Sequence, residues 1–121
     1  MKYIKQFEKT DSNHSEFINY ICDNNYRMVK KMIEFGNINI NHQTVEGKTP
    51  LMFACDRIHG WNIINLLIQS GADLYLKDKY GWDAFDMMYD MYDIYKDRIK
   101  EKYPEKYEDY EIRQNSEKYN L

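Results

Sequence analysis

Two cysteines and three histidines are the residues of this chain whose types could support metal or nucleophilic chemistry. Cys55 and His59 are four residues apart, a spacing that would place both side chains on one helix face as metal ligands. A structural zinc site takes four ligands of this kind, so the pair favours a structural role instead. A nucleophilic cysteine needs an exposed, electropositive setting, whereas we expect Cys22 and Cys55 to be buried. The sequence therefore predicts no metal, no cofactor and no catalytic cysteine.

Carboxylates form a second candidate group, at Asp83, Asp86, Asp90, Asp93 and Asp97. Neighbours three and four residues apart could share a helix face, and carboxylates in a cleft beside a substrate can perform acid–base catalysis. Ordinary amphipathicity favours a different interpretation, in which the first aspartate caps a helix and the others form its solvated face. The sequence contains neither of the glycine-rich phosphate-binding motifs. We expect that the protein is not an enzyme.

Length and charge exclude several other classes of protein. The chain has 121 residues, enough for one domain. It has no apolar run of about 18 residues that could cross a membrane, and its first residues do not resemble a secretory signal. Its 17 basic and 20 acidic residues give a net charge of −3, without the basic excess of a nucleic-acid binder. Lys77 and Lys79 are flanked by Asp73 and Asp78 and do not make a phosphate track, so we expect neither a nucleic-acid nor a membrane partner.

An internal repeat organises the middle of the chain. The pair Cys22-Asp23 recurs as Cys55-Asp56, and Gly47 recurs as Gly81 at nearly the same spacing. Within one unit, Thr49-Pro50 suits the start of a short helix, and an apolar stripe over 63–68 predicts a second helix that ends at Gly71. Each unit is therefore predicted to be two helices and a turn, and such units must stack to bury their apolar faces.

These units resemble the ankyrin repeat, and the residues that carry the likeness are Gly47-Lys48-Thr49-Pro50-Leu51, Ala54-Cys55, Ile63–Ile68 and Gly71-Ala72-Asp73. The resemblance implies an all-α ankyrin-repeat solenoid of about three helix-turn-helix units, with β-hairpin-like loops. Met52 stands where the family usually has a histidine that bonds between loops, so we expect this repeat to be less stable for it.

The ends of the chain are expected to cover the stack. We predict an N-terminal covering segment over 1–14, repeats over 15–92 (about 15–44, 45–78 and 79–92 onward) and a helical C-terminal cap with a polar tail over 93–121. An apolar stripe predicts one long capping helix over 85–103, formed by Phe85, Met88, Tyr92, Tyr95, Ile99 and Tyr103. Pro104 either interrupts that helix or starts another, and we expect fraying from Asn115 to Leu121.

The resemblance also implies a function, the binding of a partner protein through the concave surface that loop tips and first helices form. Carried over to this sequence, the contact positions are Val45, Glu46, Lys48, Phe53, Asp56, Arg57, Lys79, Tyr80, Trp82 and Met87. The alternative is a small structural or assembly protein that self-associates through the end of its stack, although we expect a monomer. Two lone cysteines indicate an intracellular, cytoplasmic protein. The composition and short array are similar to ankyrin proteins of large DNA viruses or intracellular bacteria, which would place it in the host cytoplasm.

Overall fold

The computed structural model describes residues 13–57, 60–88 and 93–119, and within these ranges the regular secondary structure is helical, with six helices and no strand. In chain order these are α1 over 13–22, α2 over Tyr26–Glu34, α3 over Pro50–Cys55, α4 over Trp61–Gln69, α5 over Asp93–Lys102 and α6 over Pro104–Tyr119. The chain divides between Met87 and Met88 into two compact units. Among the described helices, none is both long enough and apolar enough to cross a membrane.

The first unit contains two helix pairs, α1 with α2 and α3 with α4. Asn24 makes the turn after α1 at a φ of 55°, and Asn25 caps α2 by accepting the Met28 N–H at 3.2 Å. Gly36 and Gly71 follow the second helix of each pair with φ values of 73° and 99°, where glycine is free of a Cβ clash. The two-helix repeat predicted from the sequence is confirmed, and α1 also includes residues 13 and 14 of the predicted covering segment.

Apolar side chains from both pairs form the core of this unit. Helix α3 contacts α4, and α2 contacts α4, so the second helices of consecutive repeats are neighbours. Full burial of each aliphatic or aromatic side chain stabilises the fold by about 1.5–3 kcal/mol. The side chains buried at 0–4% exposure include Phe17, Ile21, Val29, Leu51, Met52, Ala54, Cys55, Ile63, Ile64, Leu67 and Ile68.

The third repeat differs from the prediction, because residues 84–88 form turns instead of starting a long helix. The Met87 N–H donates to the Ala84 carbonyl at 3.1 Å, which closes a four-residue turn. Ala84, Phe85, Met87 and Met88 are all buried, a pattern that one face of a helix also produces, so the apolar spacing does not distinguish a turn from a helix here. The predicted continuous helix over 85–103 is wrong over 85–88, where the structure has turns, and its residues 89–92 lie outside the described ranges.

The second unit is a pair of contacting helices, α5 and α6. Pro104 occupies the first position of α6, so of the two alternatives for this proline the second is correct. Helix α6 continues to Tyr119, beyond Asn115, where we expected fraying. Tyr95 and Ile99 on α5 are buried at 2% and 0% exposure. That this unit caps the stack stays a prediction.

Candidate functional site

Two loops, finger 1 (residues 43–48) and finger 2 (residues 77–82), occupy equivalent places in consecutive repeats and have the same hydrogen-bonding pattern. In finger 1 the Thr44 N–H donates to the Lys48 carbonyl at 2.9 Å, and the Gly47 N–H donates to the Thr44 carbonyl at 2.7 Å. The Thr44 hydroxyl accepts the Lys48 N–H at 3.2 Å. These bonds make a tight hairpin-like loop although the described residues hold no strand.

Finger 2 repeats this pattern with a carboxylate in place of the hydroxyl. The Asp78 N–H donates to the Trp82 carbonyl at 2.8 Å, and the Gly81 N–H donates to the Asp78 carbonyl at 3.0 Å. Asp78 Oδ1 accepts the N–H groups of Tyr80 and Trp82 at 2.9 and 3.0 Å. Asp78 is only 7% exposed, and its Oδ2 is buried without a hydrogen-bond partner. The buried carboxylate therefore fixes the backbone of both aromatic residues.

The two fingers are bonded to each other. Gln43 Nε2 donates to the Gly47 carbonyl at 2.9 Å and across to the Lys77 carbonyl at 3.0 Å. The Lys79 N–H donates to the Glu46 carbonyl at 2.9 Å. Fingers 1 and 2 therefore form one surface.

Asn41 joins the same two repeats closer to the helices. Its Nδ2 donates to the Gly71 carbonyl at 3.3 Å, and its Oδ1 accepts the Asp73 N–H at 2.7 Å. Asn39 and Asp73 each accept, through Oδ1, the N–H of the residue two positions later, at 3.1 and 2.8 Å. The repeat is thus visible in side-chain bonds as well as in the backbone.

A reciprocal cap lies at the base of each finger. The Thr49 hydroxyl accepts the Met52 N–H at 3.3 Å, while Met52 Sδ accepts the Thr49 N–H at 3.5 Å. One repeat later, Asp83 Oδ1 accepts the Asp86 N–H at 3.1 Å and Asp86 Oδ2 accepts the Asp83 N–H at 2.9 Å. Met52, which replaces the histidine usual in the family, is therefore an acceptor in its own capping box.

The second of these caps changes the acidity of Asp83. Burial, together with the neighbouring Asp86 carboxylate, raises the pKa of Asp83 from 3.8 to about 6, against the N–H bonds that favour its charged form. The predicted role of Asp83 as a cap is confirmed, although it caps a turn and not a helix.

The contact residues predicted from the sequence lie at different depths. Val45 is fully exposed, and Tyr80 and Trp82 expose 62% and 48% of their surface. Met87 is buried at 6% exposure, because residues 84–88 turn inward, and it offers no surface to a partner. The remaining positions are exposed at Glu46, Asp56, Arg57 and Lys79 and half-buried at Lys48 and Phe53.

A groove beside finger 1 is absent from the sequence prediction, whose contact positions lie only in the better-matched repeat and the finger after it. The groove has a volume of about 600 Å³ and is lined by His14, Ser15, Ile18, Asn19, His42, Gln43, Thr44 and Val45. Four of these residues lie on α1 at positions i, i+1, i+4 and i+5, a spacing that marks one helix face. This spacing on α1 is the feature of the sequence that could have indicated the groove.

Two histidines form one wall of this groove. The rings of His14 and His42 are stacked, with centroids 4.1 Å apart and planes at 24°. His14 Nε2 accepts the Asn39 N–H at 3.1 Å, which ties α1 to the segment that leads into finger 1. The stacked rings and this bond hold α1 against the segment that leads into finger 1.

The cysteines lie in different surroundings. Cys55 is completely buried, and burial, with the carboxylates of Asp83 and Asp56, raises the pKa of its thiol far above the ordinary value. Cys22 is half-buried, not buried as expected, and accepts a hydrogen bond from Arg57 that raises the pKa of the guanidinium. His59 lies outside the described residues, and within those residues no three acidic, histidine or cysteine side chains are grouped to hold a metal.

Comparison with known families agrees with this architecture. The family model described as ankyrin repeats, in three copies, matches residues 2–85. Comparison with curated proteins gives no match. Members of the matched family are generally protein–protein interaction modules and typically have no enzymatic activity. The matched residues, the helix pairs and the recurring fingers together establish that the chain belongs to the ankyrin-repeat family.

Proposed function

We propose that this protein is a non-enzymatic module that binds a partner protein through its two fingers and the first helices of its repeats. The observation that carries the proposal is the exposure of Tyr80 and Trp82 on finger 2, whose backbone the buried Asp78 holds in place. Exposed aromatic side chains on a rigid loop bind with a smaller loss of conformational entropy than flexible ones.

The surroundings of these two aromatics support the same function. Val45, on the adjoining finger, is fully exposed and adds apolar surface. Glu46, Asp56 and Arg57 are exposed charged residues. Aromatic anchors with polar neighbours are typical of protein interfaces, in which a few residues supply most of the binding energy.

The groove beside α1 extends the proposed surface. It shares Val45 with the finger tips, and it adds Ile18 and Asn19 from the first repeat. A partner segment that begins on finger 2 would continue past Val45 into this groove. The first repeat would then also contact the partner.

The test is affinity capture with mass spectrometry, comparing the wild type with the double variant Tyr80→Ala with Trp82→Ala. We expect the variant to lose the captured partner while its unfolding transition stays close to that of the wild type. Tyr26→Ala with Phe35→Ala is the matched control, because these aromatics on and beside α2 are 41% and 75% exposed and belong to neither finger. Capture that survives in the finger variant, or is lost equally in the control, would reject this site.

Self-association through the end of the stack is the competing function. We propose that the protein is a monomer, and light scattering at tens of micromolar, a concentration that reveals micromolar affinities, decides the question. A dimer that persists in the finger double variant would favour the assembly role.

The setting that we propose is the cytoplasm of a cell, and a host cell if the protein is viral. Two cysteines that are not joined to each other by a disulfide suit an intracellular protein. The absence of a catalytic role is supported by the burial and raised thiol pKa of Cys55.

A further inference from the structure

Finger 2 is more cationic at its surface than its sequence suggests. The run Lys77-Asp78-Lys79 contains an acid that would offset its neighbours if all three side chains faced the solvent. Asp78 is instead 7% exposed, and its Oδ1 is bonded to two backbone N–H groups of the finger. Both flanking lysines are exposed. The fold therefore separates the charges of this run and leaves the positive ones outside.

Two ammonium groups on the joined fingers lie over aromatic rings. Lys79 Nζ is 5.2 Å from the centroid of the Tyr80 ring, and Lys48 Nζ is 5.7 Å from that of Phe53. A ring on one side of an exposed ammonium contributes a modest attraction and leaves the charge available to an anion on the other side. The surface thus offers positive charge and aromatic surface at the same points.

The balance of charge on the fingers is opposite to that of the whole chain. Lys48, Lys77 and Lys79 stand against one accessible carboxylate, that of Glu46, whereas the whole chain has a net charge of −3. The Lys79 N–H bond to the Glu46 carbonyl holds the two fingers together, so these charges act on the same partner segment. A local positive patch on a protein with a net negative charge favours partners that carry negative charge where they bind.

We infer that the fingers bind an acidic peptide segment of the partner protein, one that carries carboxylates beside an aromatic or aliphatic residue. The carboxylates contact the ammonium groups of Lys48 and Lys79, and the apolar residue packs against Tyr80 and Trp82. This inference rests on the proposed function and adds to it the chemistry of the partner.

The test begins with selection from a random peptide library displayed on phage, using the full immobilised chain. We expect the selected peptides to be enriched in Asp and Glu near an aromatic or aliphatic residue. One selected peptide is then synthesised with a fluorophore, and its affinity is measured by fluorescence polarisation at ionic strengths of about 0.1 M and about 1 M, where the Debye length falls from about 10 Å to about 3 Å.

The variants give the decisive comparison. We expect Lys48→Gln with Lys79→Gln to weaken the affinity at the lower salt concentration roughly tenfold, as exposed charge pairs allow, and to remove most of the salt dependence. Lys30→Gln with Lys31→Gln makes the same charge change at exposed positions on α2 and should leave the affinity unchanged. Equal losses in both double variants would overturn the inference, because the effect would then belong to the net charge of the protein.

The two proposals fail in different ways. Peptides that need Tyr80 and Trp82 but carry no acidic excess overturn the inference and leave the binding module intact. If no selected peptide depends on Tyr80 or Trp82, the proposed function fails as well. A single-stranded oligonucleotide that displaces the labelled peptide at equal concentration also overturns the inference, since the lysines would then bind phosphate.

Discussion

The second and third repeats build the same cap from different chemistry. Thr49 and Met52 form a neutral pair, in which a hydroxyl and a thioether each accept a backbone N–H. Asp83 and Asp86 make the same two bonds in the next repeat with two carboxylates. The geometry thus requires an acceptor at each position and not a particular residue, but only the acidic pair makes the cap sensitive to pH.

The two fingers also use different side chains, a hydroxyl in one and a carboxylate in the other, to close the same loop. Thr44 closes finger 1 with one hydroxyl bond, whereas Asp78 closes finger 2 with two carboxylate bonds. Finger 1 is enclosed by its neighbour at Gly47, while finger 2 exposes two aromatic residues. One backbone design therefore packs against its neighbour at Gly47 and leaves the equivalent glycine open, while both fingers expose side chains at their tips.

The two turn glycines should separate these roles most strongly. Gly47 and Gly81 have φ values of 83° and 85°. A Cβ at Gly47 would lie 2.9 Å from the Asp78 Cα, whereas a Cβ at Gly81 meets nothing within 4 Å. We expect Gly81→Ala to cost about 1–2 kcal/mol of unfolding free energy from backbone strain, and Gly47→Ala to cost about 1–3 kcal/mol more from the clash.

Urea unfolding of both variants measures that difference. Equal costs for the two substitutions would mean that the fingers are not packed against each other at Gly47.

The neutral cap gives the next largest effect. Thr49→Val keeps the shape of the side chain but removes the acceptor for the Met52 N–H at a site that is 1% exposed, which should cost about 1–2 kcal/mol. Met52→Leu removes only the weaker sulfur acceptor and should cost less than about 1.5 kcal/mol. Thermal unfolding ranks the two, and the reverse order would show that the thioether carries the cap.

The acidic cap predicts a dependence on pH. Because folding raises the pKa of Asp83 to about 6, the stability that its protonated form contributes is fully present below about pH 3.8 and is lost as the pH rises through about 6. Asp83→Asn has no such titration, so its Tm should rise relative to that of the wild type between pH 4 and pH 7. The control is Asp97→Asn, which replaces an exposed aspartate on α5 and should show no such trend. If the Tm of Asp83→Asn runs parallel to that of the wild type across this pH range, the raised pKa of Asp83 is contradicted.

The smallest effect is expected for the side chain that ties the fingers together. Gln43→Ala removes the bonds to the carbonyls of Gly47 and Lys77 at an exposed position, which should cost about 0.5–1 kcal/mol. The local consequence is sharper, because the Lys79 amide should exchange its hydrogen faster when the fingers separate. Gln69→Ala on α4 is the control. If the Lys79 amide exchanges at an unchanged rate in Gln43→Ala, the backbone bonds alone are enough to hold the two fingers together.

Much of the fold was predictable from local sequence. Thr49-Pro50 sets the start of α3, the stripe over 63–68 makes α4, and Gly71 ends the repeat. The long helix over 85–103 is wrong at 85–88, where the backbone forms turns although the apolar residues keep a helical spacing. The periodicity of apolar residues indicates which positions are buried, but residues at the same spacing can also be buried in a series of turns.

The sequence by itself determined the family, the length of the repeat and the identity of the exposed finger aromatics, because these depend on residue types at fixed spacing. Only the tertiary structure decided where the charges lie. It buried Asp78 and left Lys79 outside, it paired Asp83 with Asp86, and it brought α1 beside finger 1 to form a groove. Burial and long-range contacts decide which charged groups face the solvent and which pKa values shift from their ordinary values, and residue type alone does not reveal either.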